Sequence, residues 1–214
     1  MVGAATDTFT ESCLQANGGN MARTLVIEPT TTSQWHALVQ EAQDAVQRHL
    51  DESLESYLVF LLIRFTNRPD IAQRILALDY LESLCQSGSV RGEKLRDVGD
   101  HCLLISGLFP QRASRRRVKI SYFVEMGRSA YHELGHSLTR ATGELYNHLS
   151  QDFVSLMDVL QTMRGMEAAV QTFSPLDAHD LWQDTGSQVA FRSLRHHSPD
   201  AIPVPIDPDD PTFQ

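Results

Sequence analysis

Five consecutive residues carry the pattern with most chemical potential: His132-Glu133-Leu134-Gly135-His136. On a helix, histidines four positions apart share one face, and both imidazoles can ligate a single zinc ion. The glutamate between them can then act as general base on a metal-bound water. A catalytic zinc takes three protein ligands and keeps one position open. Two later acids, Asp158 and Glu167, are candidates for the third ligand, and Glu167 is the one carried forward. The helix bearing the motif would bury Phe123, Ala130, Tyr131, Leu134, Leu138 and Ala141. His132 and His136 fall on the opposite stripe with Glu125, Ser129 and Arg140, the pattern of a solvated face.

Other constellations are thinner. Glu133-x-x-His136 is half of a di-iron carboxylate signature, and a second E-x-x-H does not occur in the chain. Asp100-His101-Cys102 brings a thiol beside an acid and an imidazole, but helical spacing reads Cys102 as a small buried hydrophobe. Arg112, Arg115, Arg116, Arg117 and Lys119 form one basic run, fit for phosphate or an acidic partner, or, as a solvated loop and first turn, for pairing with Asp207, Asp209 and Asp210. No glycine-rich phosphate loop, G-x-S-x-G elbow or C-x-x-C is present.

The whole chain sets bounds on partners. It has 214 residues, of which 42% are hydrophobic and 21% charged, and a formal charge of -9. That acidity argues against nucleic acid or an anionic membrane as partner, since both reward a basic surface. No apolar run approaches the roughly 18 residues of a membrane span. The first residues lack the basic start and apolar block of a secretory signal, and Met21 is a second candidate start. Three cysteines, Cys13, Cys85 and Cys102, make no disulfide framework and read as reduced thiols of a cytoplasmic protein. Arginine outnumbers lysine sixteen to two, the usage of a GC-rich bacterial genome.

The elements that must position these groups read as helices. Trp35, Leu38, Val39, Ala42, Val46 and Leu50 step at three and four, and Leu54, Tyr57, Leu58, Leu61, Leu62 and Phe65 continue, as one long helix or two. Thr32-Ser33 is the expected cap of the first. A third segment opens at Pro69, and a fourth covers about 92–106. Gly107-Leu-Phe-Pro110 is a turn expected to plug Leu108 and Phe109 into the core. A fifth helix is predicted over about 118–141, a sixth through Leu145, Leu149, Phe153, Leu156, Met157 and Leu160, and a weak one near 176–182. Residues 23–28, 102–108 and 118–124 each admit a strand. The expectation is an all-α fold: one helical domain of about six helices over 33–195. A poorly ordered extension (1–32) precedes it, and a disordered, acidic, proline-rich tail (196–214) follows. His196 and His197 read as linker.

Two resemblances bear on function. HELGH resembles the active-site helix of zinc metallopeptidases, over five to ten residues. The extension of the metzincin group would place glycine at 139 and histidine at 142, where this chain has Thr139 and Thr142. Gly99-Asp100-x-x-Leu103-x-x-Ser106-Gly107-Leu-Phe-Pro110, followed by Arg116, Val118, Tyr122, Gly127, Ala130 and Tyr131, resembles an uncharacterised family of helical bacterial proteins over about 95–160. This chain departs from it at Phe123, where the pattern has a second tyrosine. That family's pattern carries no H-E-x-x-H, which implies a helical fold and an incidental motif. The preferred expectation is therefore a non-enzymatic interaction or regulatory protein with no cofactor and a protein partner. The alternative is a zinc metallopeptidase with His132, His136 and Glu167 as ligands and Glu133 as base.

Overall fold

The computed structural model describes residues 30–67, 80, 87–115, 118–167 and 173–197. Thr30 opens the first helix: its Oγ1 accepts the Ser33 backbone N–H at 3.3 Å, satisfying one of the amides a helix start leaves unpaired. The expected cap, Thr32-Ser33, lies two to three residues too late. Helix α1 (Thr31–Val46) buries Val39, Ala42, Gln43 and Val46. Gln47 then turns left-handed at φ 58°, and the Leu50 N–H donates to Gln43 Oε1 at 2.6 Å. A buried glutamine thus holds the reversal, and the apolar stripe resumes in α2 (Glu52–Asn67) as a separate helix. The expected third segment, 69–87, lies outside the described residues apart from Tyr80 and Ser87.

Helix α3 (Gly88–Gly107) is the central element, buried almost continuously from Val98 to Gly107. It packs against α5 (Ile120–Ser137) and α7 (Phe153–Glu167), while α1 crosses α2 and α7. The α3–α5 approach is close because Gly99 has no side chain. A Cβ there would stand 2.5 Å from the Tyr131 ring, well inside the contact distance of two carbon atoms. Beyond α3, Pro110 starts a short helix, α4 (Pro110–Arg115), as proline can at a first helical position. Leu108 and Phe109 are half-buried rather than plugged into the core. The Phe109 ring lies 5.5 Å from that of Phe65, and the Arg112 guanidinium covers it at 4.8 Å.

Helix α5 ends before its expected limit. Leu138 is extended and Thr139 is the N-cap of α6 (Arg140–Gln151), so the chain reverses at 138–139, inside the span expected to be one helix to 141. Leu138 is consequently 39% exposed, against the expected burial on the α5 apolar stripe. Asp152 separates α6 from α7, dividing what reads as one sixth helix. Ser174 caps α8 (Pro175–Thr185), accepting from the Asp177 N–H at 3.2 Å, and α9 (Gln188–His197) follows.

The described residues thus form nine helices and no strand, against the expected six or so. The strand alternatives at 102–108 and 118–124 give way to α3 and α5; 23–28 lies outside the described residues, as does 198–214. His196 and His197 end α9 rather than forming a linker. No helix among the described residues is long and apolar enough to cross a membrane.

Candidate functional site

Helix α5 carries the H-E-x-x-H residues on its last two turns. His132 and His136 are both exposed, with ring centroids 4.2 Å apart. His136 Nδ1 donates to the His132 carbonyl at 2.9 Å, since a carbonyl can only accept. Glu133 turns to another neighbour: Arg91 Nη2 donates to Glu133 Oε2 at 2.9 Å, with the two side chains 30% and 45% exposed. Gly135, the small residue of the motif, lies at the crossing of α5 and α6. A Cβ on it would meet Asn147 Oδ1 at 2.3 Å and the Gly143 carbonyl at 3.1 Å. The α5–α6 reversal therefore needs that glycine whatever the histidines do.

The acids proposed to complete a metal site stand apart in character. Asp158 is fully buried and accepts from Ser187 Oγ at 2.5 Å and from the Gln188 N–H at 2.9 Å. Burial pushes its carboxyl above the usual range, opposed by these two donors. It anchors the start of α9 and has no lone pair turned toward solvent for a metal. Glu167 is the last residue of α7. Among the described residues no three of His, Cys, Asp and Glu gather in an arrangement fit to hold a metal ion.

The Asp100-His101-Cys102 cluster disperses on α3, since consecutive helical residues point about 100° apart. Cys102 is fully buried and its thiol is pushed up by that burial, so it is no nucleophile at neutral pH. His101 Nδ1 donates to the Asp97 carbonyl. Asp100 instead meets Tyr57 and Tyr131, whose hydroxyls donate to its Oδ1 at 2.6 and 2.7 Å, and Arg64, which pairs with its Oδ2. Burial raises both phenols, Tyr131 well above the ordinary range, so they stay protonated and keep donating. Tyr146 completes an aromatic trio with Tyr57 and Tyr131, edge-to-face on Tyr57 and tilted against Tyr131, with centroids 6.0–6.3 Å apart.

Sequence spacing gives no hint of this cluster, because its members come from α2, α3, α5 and α6. The basic run is partly spent internally. Lys119 Nζ lies 3.1 Å from Asp180 and 3.9 Å from Asp184, and the Asp180 bond holds the ammonium above its usual range. Intramolecular pairing is thus realised through α8; the aspartates at 207, 209 and 210 lie outside the described residues. Compared with protein-family models, curated proteins and solved structures, the chain matches none.

Proposed function

We propose that the chain is a cytoplasmic bacterial protein of non-enzymatic function, an interaction or regulatory protein that takes a protein partner and no cofactor. The observation that carries this reading is the ion pair of Glu133 with Arg91. A general base must be aimed at the reacting water, and here the candidate carboxylate is engaged sideways by a guanidinium on the open surface. The residues of the helical-family resemblance support the same reading, for Gly99 and Asp100 both serve the α3–α5 contact. The basic run of the sequence is taken as one contact surface, and of it Lys119 stays 65% exposed even while paired.

A second reading keeps a specific observation in its favour. His132 and His136 do present two imidazoles side by side on one face, as zinc ligands of a metallopeptidase would stand, with Glu133 as base and Glu167 as third ligand. A fluorogenic casein assay of the full chain in added zinc separates the two. The proposed function expects no cleavage above background. Zinc-dependent cleavage that Glu133→Gln abolishes would establish the peptidase instead.

A further inference from the structure

Two cavities meet at Arg96 and Tyr146. One, of about 530 Å³, lies between the start of α3 and the α5–α6 reversal and includes Arg91, Arg96, Leu134 and Tyr146 in its walls. The other, of about 220 Å³, continues past Arg96 and Tyr146 to Tyr57, Phe60 and Arg64. The larger one falls within the range of small-molecule sites.

Its walls hold polar groups that folding leaves unsatisfied. The Nε–H groups of Arg91 and Arg96 are both buried without a hydrogen-bond partner. Buried donors are almost always paired; these two Nε–H groups are enclosed within the wall, and it is the rest of each guanidinium, lining the groove, that can meet an acceptor from outside the chain. The charges nearby do not supply it. Asp100 is committed to Arg64, Glu133 reaches Arg91 only through Nη2, and Glu93 stands on the exposed rim. Arg96 has no ion pair among the described residues. A planar guanidinium fork is matched to the oxygens of a carboxylate or phosphate, and none of the described carboxylates of this acidic chain takes up that of Arg96. The remaining wall is aromatic and apolar: Tyr57, Tyr146 and Leu134 are buried or nearly so, and Phe60 is 63% exposed at the mouth.

We propose that this groove binds a small organic anion, its oxyanion held by Arg96 and Arg91 and its apolar body lying over Tyr146 toward Phe60. Neither His132 nor His136 is among the residues forming it. The inference therefore goes beyond the proposed function, and its failure leaves that reading intact.

Calorimetric titration of the full chain with phenyl phosphate and with benzoate, at matched ionic strength in chloride, tests it. Saturable binding of at least one probe, with a Kd of about 1 mM or tighter, is expected. Arg96→Gln should weaken that binding roughly tenfold or more, as loss of a charge-assisted contact does. The tighter probe then tells a phosphate monoester from a carboxylate. Arg91→Gln should weaken it as well and serves where Arg96→Gln melts below the assay temperature. No saturable heat with either probe, or equal affinity in the folded arginine variants, would overturn the inference.

Discussion

Tyr131 donates its phenolic hydrogen to Asp100 across the α3–α5 contact at 2.7 Å, with both residues buried to within 1% of completeness. A buried carboxylate is tolerated only where it is paired and hydrogen-bonded. Here Tyr57 and Arg64 complete the shell. Asp100→Ala should therefore cost about 3 kcal/mol, since it leaves two phenols and a partly buried guanidinium without their acceptor. Tyr131→Phe removes one donor of three and should cost about 1–2 kcal/mol. Urea unfolding of the two variants measures both, and the order of the losses is the point at issue.

The glycine beside this carboxylate gives a steric counterpart. Gly99→Ala places a methyl 2.5 Å from the Tyr131 ring, and neither helix can withdraw without opening the core. Overpacking of this kind costs about 1–3 kcal/mol. Thermal unfolding should show a clear drop in Tm, although alanine is the better helix former.

Much of this was readable in the chain and some was not. Period-three and period-four apolar steps mark α1, α2 and α5 because each buries one stripe against the core, and they mark α3 and α7 although these are buried on nearly every side along Val98–Gly107 and 155–161. The helix ends at Gln47, Leu138 and Asp152 are not marked, since none is a glycine or proline. Gln47 reverses the chain because the Gln43 side chain holds it from one turn back, an arrangement composition does not reveal. His132 and His136 on a solvated stripe follow from the Leu134, Tyr131 and Ala130 stripe opposite. The partner of Glu133, Arg91, lies 42 residues earlier in sequence on another helix, and no local pattern points to it.

Asp158 makes a pH-dependent contribution. Its carboxyl is raised in the folded chain, so the folded state takes up this proton before the unfolded state does. Its contribution to stability is then fullest below the ordinary carboxylate range and falls as pH rises through the raised value. Asp158→Asn should be mild, because its amide can accept from the Gln188 N–H and donate to Ser187 Oγ. Asp158→Ala should cost about 1–3 kcal/mol by leaving both groups unpaired. Unfolding followed from pH 7 to pH 4 should show wild type gaining on Asp158→Asn as pH falls.

Phe109 tests the end of the bundle. Half-buried against Phe65 and covered by Arg112, it should lose about 1.5–2.5 kcal/mol on Phe109→Ala, half of the 3–5 typical of a fully buried phenylalanine. A loss at the full value, read from chemical denaturation, would mean that further chain covers the ring.

Metal content bears most directly on the central claim. Purified full-length chain, exchanged into metal-free buffer at neutral pH after incubation with zinc, should carry no stoichiometric zinc by elemental mass spectrometry. Replacing His132 and His136 together with alanine should then leave the metal content and the Tm unchanged, the Tm because exposed side chains contribute within about 0.5 kcal/mol. One zinc per chain, lost in the double alanine variant and accompanied by a chelator-sensitive Tm in the parent alone, would contradict the non-enzymatic reading and establish His132 and His136 as ligands.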